Sequence, residues 1–138
     1  MTEMQDLCQS LGLQNVHFFG NQDNPHPYVL QSDVFVYPSE TEAYCTAVCE
    51  ALILGMPIIT TRTASVPEIF NHGEYGVVVE NSRAGIYEAM RSFLDNRELI
   101  SHYRAKAKER LSYFDIESRV KAVEEFVNEF QESNGTLQ

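Results

Sequence analysis

The central segment of the chain reads YPSETEAYCTAVCEAL from Tyr37 to Leu52. Its first residue ends a short apolar run, and its second half has the composition of a buried helix. Open α/β sheets bind their ligands at such transitions, where a strand ends and a loop leads into a helix. The segment therefore predicts an open parallel sheet with candidate ligand-binding residues in the loop between strand and helix.

Four short apolar runs have the character of strands, and they are continuous rather than alternating. Continuous runs are typical of strands in a sheet that is covered on both faces. Helical spacing lies between them at Tyr28–Gln31, Thr46–Leu54 and Val66–Phe70. This alternation indicates βαβ units, so the predicted fold class is α/β, with a partial Rossmann-like parallel sheet of about four strands flanked by helices. The predicted strands are Val16–Phe19, Val34–Tyr37, Pro57–Thr61 and Gly76–Val79.

After the fourth predicted strand the pattern is helical only, with apolar residues at spacings of three and four. Asp95 and Asp115 stand at the positions expected of helix N-caps. A chain of 138 residues supports one core, so we expect one domain over residues 1–132 and a frayed tail over residues 133–138. The predicted C-terminal helices are Ile86–Leu94, Ile100–Leu111 and Ile116–Phe130.

The chain carries a formal charge of -10, from 20 acidic and 10 basic residues, and residues 1–60 contain no Lys or Arg. Such a charge repels phosphate backbones, which argues against nucleic-acid binding. Three cysteines without a C-x-x-C pair and four scattered histidines indicate neither a disulfide framework nor a metal site. No signal peptide or membrane span is recognisable, so we expect a cytoplasmic protein.

Glu50 is the one charged residue in the apolar run from Ala47 to Leu54. This composition predicts that the helix is buried and that its carboxylate has a partner, because burying an unpaired charge is costly. Three partners are compatible with the sequence. They are Arg62, which lies one strand away, a water-filled pocket, or a ligand diol, whose two hydroxyl donors suit an acceptor-only carboxylate.

Glu42 lies in the loop, eight positions before Glu50. At about 1.5 Å per residue, a helical path would separate the two by about 12 Å, which suits the two ends of a nucleotide sugar. The backbone N–H groups of residues 43–46 lie between them at a helix start, a favourable place for a diphosphate. The alternative is that Glu42, like Glu40, is a solvated loop charge.

An ordered series of short motifs extends over roughly residues 10–130. The motifs are FFG at 18–20, QSDVFVYPS at 31–39, E-x7-EAL-x-x-G-x-P at 42–57, VPEI at 66–69 and G-x-x-G at 73–76. Together they resemble the C-terminal domain of retaining GT-B glycosyltransferases of the glycogen-synthase-like, group 1 type. A series of motifs in this order is much more specific than an isolated E-x7-E.

The resemblance implies a role for each matching position. Glu50 would bind the ribose hydroxyls of the donor nucleotide, and Glu42 would contact the donor sugar near the reacting centre as the catalytic residue. Gly20 and Asn21 would lie beside the base. The backbone of the turn between the two glutamates would hold the diphosphate, and Tyr44 in that turn either stacks on the donor or packs. The residues of this turn are Ala43, Tyr44, Cys45 and Thr46.

The resemblance also implies a reaction, the transfer of a hexose from a nucleoside-diphosphate sugar to a saccharide or other hydroxyl acceptor, with retention, in polysaccharide biosynthesis. It implies no cofactor besides the donor substrate and no essential metal, so fixed dipoles and basic side chains would stabilise the departing diphosphate. The acceptor would be held by an N-terminal domain or a second chain. Through that part the protein could also lie peripherally at the inner membrane face.

The chain departs from the family pattern at the phosphate-binding positions. Ala43 stands where the family has glycine, and Ala64 and Ser65 replace a Gly-Gly pair. The family's Gly-Arg segment and its lysine, which clamp the diphosphate, have no counterpart, and Arg62 is a candidate substitute. The chain would then begin in the third helix of the domain. We expect the isolated chain to bind donor weakly and to transfer little; the alternative is a non-catalytic binding or assembly module.

Overall fold

The computed structural model describes residues 2–117, 120–121 and 123–125. Helices and strands alternate along the first part of the chain, and two long helices follow the last strand. Turns of 3-10 helix lie at Asn71–Gly73 and Leu111–Phe114. The elements in chain order are α1 (Thr2–Ser10), α2 (His26–Leu30), β1 (Phe35–Tyr37), α3 (Thr46–Ile53), β2 (Ile58–Thr61), α4 (Val66–Ile69), β3 (Val77–Val79), α5 (Arg83–Asp95) and α6 (Glu98–Arg110).

The three strands form one parallel sheet in the order β1-β2-β3. In its register, Val36 pairs with Ile59, and Ile59 pairs with Val77. The central strand β2 is buried along its whole length, whereas β1 and β3 are half-buried. Because each crossover between parallel strands contains a helix, the βαβ organisation and the predicted α/β fold class are confirmed.

Adjacent residues of β2 point to opposite faces of the sheet and define two packed layers. Ile58 packs with the buried residues of α3 and α4 and with Phe70, while Ile59 packs with Ala89 and Phe93 of α5. The helix α6 contributes Ala107 to the first layer. The sheet is thereby covered on both faces, as its continuous apolar strands predicted.

The prediction of a strand at Val16–Phe19 is wrong for the described residues, in which the sheet has three strands and not about four. The apolar side chains of this run are 40 to 57% exposed, and the ring of Phe19 lies against Tyr28 at 4.5 Å between centroids. A strand requires a neighbouring strand that completes its backbone hydrogen bonds. An apolar run shows that a strand is possible, but it does not show whether such a neighbour is adjacent.

The helices predicted around Tyr28–Gln31, Thr46–Leu54 and Val66–Phe70 are confirmed to within a few residues by α2, α3 and α4, and the next two by α5 and α6. The helix α1 was not predicted from the residue pattern. Of the last predicted helix, Ile116–Phe130, the described residues 116–117, 120–121 and 123–125 are helical. The described residues do not include the remainder of this helix, the predicted domain limit at 132 or the predicted tail 133–138.

The N-cap predicted at Asp95 is wrong, because the residue that directly precedes α6 is Arg97, which makes no side-chain capping hydrogen bond. Asp95 ends α5 and pairs with Arg91, and the side-chain oxygen of Asn96 accepts the Glu98 N–H at 3.1 Å. Asparagine caps a helix as well as aspartate does. No helix among the described residues has both the length and the apolar composition required to cross a bilayer.

Candidate functional site

The loop between β1 and α3 and the loop after β2 enclose a cleft of about 330 Å³. Both loops leave the carboxyl ends of neighbouring parallel strands, so they meet at one edge of the sheet. The cleft is therefore where the sequence predicted a ligand site. Its lining residues are Glu40, Thr41, Glu42, Ala43, Thr63 and Ala64.

The half-buried side chain of Glu42 is held in place by two hydroxyl donors. Its Oε1 accepts from the Tyr37 hydroxyl at 2.8 Å and from the Ser39 hydroxyl at 3.1 Å. The hydrogen bond to Glu42 is the largest cause that raises the pKa of Tyr37, followed by burial. Tyr37 thus remains a protonated donor, and Glu42 is not the freely solvated loop charge of the alternative interpretation.

The burial predicted for Glu50 is wrong, because its side chain is 54% exposed. Thr46, Glu50 and Ile53 follow one another at spacings of four and three along α3, and all three are exposed. The opposite face of α3 carries the buried residues Cys49 and Leu52. Ile53 is apolar but 49% exposed, and its presence on the exposed face is why the sequence predicted a helix buried on every side.

The partner of Glu50 is His26, whose Nε2 lies 3.3 Å from the carboxylate Oε2. Arg62, which the sequence offered as a partner, instead pairs with Glu80 at 3.5 Å. In the sequence, His26 is one of four histidines without ligand spacing. No spacing pattern could reveal this contact, because it joins α2 to α3 across 24 positions of the chain.

The turn from Ala43 to Thr46 leads directly into the open start of α3. Cys45 is the N-cap residue, and it makes no side-chain capping hydrogen bond. Ala43, Tyr44 and Thr46 are exposed, whereas Cys45 is buried. The Thr46 N–H donates to the Tyr44 carbonyl at 3.2 Å. A helix start without a side-chain cap still carries partial positive charge, which is the property that the prediction of a diphosphate site requires.

The thiol of Cys45 is 1% exposed, and burial raises its pKa. The charge of Glu42 raises that pKa further, and the neighbouring Thr63 hydroxyl lowers it. Thr63 nevertheless has no partner in hydrogen-bond geometry within the described part of the chain, and the same is true of the buried hydroxyl of Ser65. A raised pKa and deep burial make a reactive thiolate at Cys45 unfavourable, so this side chain serves packing.

Gly20 and Asn21 lie in an exposed turn beside an aromatic pair. Gly20 has φ +66, a left-handed conformation that favours glycine. The side-chain amide of Gln22 donates to the Phe19 carbonyl at 2.6 Å, and its oxygen accepts from the Tyr28 hydroxyl at 3.3 Å. Tyr28 belongs to α2, as does His26, so α2 connects this turn to Glu50.

Among the described residues, no three His, Cys, Asp or Glu side chains come together in a way that could hold a metal ion. The acidic cleft residues are Glu40 and Glu42, and no lysine or arginine of the described part of the chain lines the cleft. The ligand-binding and catalytic roles of the named residues therefore stay predictions, although the structure brings Glu42 and Ala43 to one cleft.

An open α/β fold with a cleft at the carboxyl ends of its strands defines a class of ligand-binding domains. Within that class, the chain belongs to the glycosyl transferases group 1 family, whose sequence pattern matches residues 2–110. The resemblance found in the motifs is confirmed.

Two relatives show how much of such a protein the chain represents. The N-acetyl-alpha-D-glucosaminyl L-malate synthase of Bacillus anthracis is 30% identical, over 75% of this chain and 29% of its own length. The N-acetylgalactosamine-N,N'-diacetylbacillosaminyl-diphospho-undecaprenol 4-alpha-N-acetylgalactosaminyltransferase of Campylobacter jejuni is 26% identical, over 82% of this chain and 32% of its own length. The chain thus spans about a third of the length of these curated relatives.

A solved structure supports the fold. Sucrose-phosphate synthase from Thermosynechococcus elongatus matches with a TM-score of 0.75 at 20% identity, over 96% of this chain and 34% of that chain. This likeness shows the GT-B type of fold, and at this identity it shows the fold alone.

Proposed function

We propose that this chain is the donor-binding part of a glycosyltransferase that transfers a hexose from a nucleoside-diphosphate sugar to a hydroxyl of a saccharide or another acceptor. The observation that carries the proposal is the cleft beside Glu42 next to the uncapped start of α3. Ligand sites begin at about 300 Å³, so a cleft of about 330 Å³ suits one sugar ring and leaves the nucleoside outside it.

The nucleoside would extend along α3 to Glu50, one turn beyond Thr46. A half-exposed carboxylate can accept hydrogen bonds from both hydroxyls of a ribose, and its exposure leaves it accessible. The turn with Gly20 and Asn21 would lie beside the base, since α2 joins that turn to Glu50 through Tyr28 and His26.

In the proposed reaction, the bond between the anomeric carbon of the hexose and the diphosphate oxygen breaks. A bond from the same carbon to the acceptor oxygen forms, and the proton of the acceptor hydroxyl passes to the departing nucleoside diphosphate. The positive end of the α3 dipole would stabilise the charge of the leaving diphosphate. Glu42, fixed by Tyr37 and Ser39, would contact the hexose in the cleft.

Calorimetric titration of the chain with UDP, GDP and ADP tests donor binding. We expect one of the three to bind, and Glu50→Ala to abolish that binding. Glu88→Ala is the matched control, because Glu88 is also an exposed helical glutamate but lies on α5, on the opposite side of the sheet. Binding that survives Glu50→Ala, or that Glu88→Ala removes equally, contradicts the assignment of the nucleoside site.

A non-catalytic binding or assembly module is the second candidate. It is favoured by the composition of the cleft, because the described residues that line it include two glutamates and no cation. These two charges would repel a diphosphate. If none of the three nucleotides binds, this second candidate replaces the first.

Catalysis requires donor and acceptor to be held together, so we propose that an N-terminal domain or a second chain supplies the acceptor site. The purified 138-residue chain is therefore expected to show little transfer to a simple sugar acceptor. Substantial turnover by this chain alone would contradict the need for a partner, without affecting the proposed donor site.

A further inference from the structure

His26 and Glu50 form a contact that the functions proposed above do not use. The ring Nε2 lies 3.3 Å from Oε2, and the two side chains are 45% and 54% exposed. Exposed pairs of this kind contribute little to stability. The contact joins two separate helices and places one carboxylate oxygen of Glu50 against the ring of His26.

The backbone holds His26 more firmly than its exposure suggests. Its N–H donates to the side-chain oxygen of Asn24 at 3.1 Å. Pro25 and Pro27 flank it, and each proline has a fixed φ, which restricts the local backbone. The ring of His26 is thus attached to a constrained start of α2.

The hydrogen bond has a defined direction. An ionised carboxylate only accepts, so Nε2 carries the proton and donates to Oε2 of Glu50. Among the described residues, Glu50 is the one charged group within ion-pair distance of this ring, and Asp23 is the nearest acidic residue before it in the chain. The other carboxylate oxygen, Oε1, faces no donor in the described part of the structure.

We propose that His26 is a positioning residue for nucleotide recognition, which orients the Glu50 carboxylate so that it accepts from the vicinal hydroxyls of a ribose. This inference rests on the proposed donor-binding function. With the carboxylate oriented before the ligand arrives, less side-chain freedom is lost on binding. The ligand class is a ribonucleoside diphosphate, and the predicted signature is that the effect of His26 requires the ribose hydroxyls.

The test compares two ligands on the same chain. One is whichever of UDP, GDP and ADP binds the wild-type chain best, and the other is the 2′,3′-dideoxy form of that nucleotide. We expect His26→Ala to raise the Kd of the ribonucleotide by about fivefold, which is typical of the loss of one hydrogen bond. The dideoxy form offers Glu50 no hydroxyl, so we expect it to bind the wild type as weakly as the ribonucleotide binds Glu50→Ala, and His26→Ala to cause no further loss.

Two further variants separate hydrogen bonding from packing. His26→Gln keeps an amide donor that can reach Glu50, and we expect it to restore the ribonucleotide Kd to within about twofold of wild type. His26→Phe keeps the ring without the donor, and it is expected to behave like His26→Ala. His17→Ala is the matched control, since His17 is exposed and lies outside α2.

The outcomes distinguish this inference from the proposed function. If Glu50→Ala abolishes binding but His26→Ala changes nothing, the positioning role is wrong and the donor site stands. The positioning role is also wrong if His26→Ala weakens the binding of the ribonucleotide and of the dideoxy form equally. It is wrong, too, if His26→Gln does not restore ribonucleotide binding. If the wild-type chain binds none of the three nucleotides, the positioning role is rejected together with the proposed function.

Discussion

The two glutamates at the start of α3 are eight residues apart and are held in opposite ways. Glu42 is half-buried and accepts from Tyr37 and Ser39, which lie five and three residues before it. Glu50 is 54% exposed, and its side-chain partner among the described residues is His26, which lies 24 residues before it. The orientation of Glu42 therefore comes from its own strand and loop, whereas that of Glu50 depends on the packing of two helices.

The difference follows from the two faces of α3. One face packs into the core and positions the loop with Glu42, while the other carries Glu50 into solvent. A helix that is buried on one side can present a carboxylate on the other without any desolvation cost.

The largest effect is expected at the core face of α3. Leu52→Ala removes a fully buried side chain and should lower the free energy of unfolding by about 2–5 kcal/mol, because it leaves a cavity. Ile53→Ala, at the neighbouring but exposed position, should change it by less than about 0.5 kcal/mol. Urea unfolding of both variants measures the two values. Similar losses would show that both faces of α3 are buried, as the sequence alone suggested.

Much of the fold was predictable from the sequence. The buried strand β2 is a continuous apolar run, and the amphipathic helix α5 has apolar residues at spacings of three and four. The run Val16–Phe19 was misread, because the sequence pattern of a strand carries no information about its neighbour. The start of α6 was also wrong, because the side-chain hydrogen bond to the Glu98 N–H comes from Asn96 and not from Asp95, and the two residues have similar capping chemistry.

The candidate site was predictable to a smaller extent. The position of Glu42 at the end of a strand followed from chain order, but its donors Tyr37 and Ser39 required the geometry of the turn. The exposure of Glu50 and its contact with His26 depend on how α2 packs against α3. Tertiary contacts over 24 positions leave no local signature in a single sequence.

The second prediction concerns the two hydrogen bonds that Glu42 accepts. Glu42→Leu leaves the hydroxyls of Tyr37 and Ser39 without their acceptor, and should lower the free energy of unfolding by about 1–2 kcal/mol. Glu42→Gln keeps an acceptor oxygen and should cost less than half of that. Thermal unfolding followed by circular dichroism compares the two. An equal loss in both variants would assign the effect to charge and not to the hydrogen bonds.

The third prediction uses pH to examine the same hydrogen bond. Because Glu42 raises the pKa of Tyr37 above its ordinary value of 10.0, the unfolded chain releases this proton at a lower pH than the folded chain. The free energy of unfolding should therefore fall as the pH rises above 10, and it should fall less steeply in Tyr37→Phe. Below pH 10 the slopes should be equal. Urea titrations between pH 8 and pH 11, with both proteins, measure the difference.

Three other groups among the described residues contribute to the same pH range. The pKa of Tyr103 and that of Cys45 are raised mainly by burial, and that of Lys106 is raised mainly by its hydrogen bonds to Glu109 and Glu74. All three groups are present in the wild type and in Tyr37→Phe, so the difference between the two proteins reports on Tyr37. Tyr103→Phe should flatten the profile without changing the difference that Tyr37 makes. A profile with the same slope in wild type and Tyr37→Phe would show that the phenol does not depend on Glu42.

The smallest effect is expected for the stability contribution of Glu50. Its carboxylate is half-exposed and pairs with a half-exposed ring, so Glu50→Gln should change the free energy of unfolding by less than about 0.5 kcal/mol at neutral pH. This near-neutral result matters because the same residue is expected to be essential for nucleotide binding. A residue that contributes little to the fold and much to a ligand contact is maintained for the ligand. If Glu50→Gln instead destabilises the chain as strongly as Glu42→Leu, the His26–Glu50 contact is a structural link between α2 and α3, and a loss of nucleotide binding in Glu50 variants would no longer identify a ribose site.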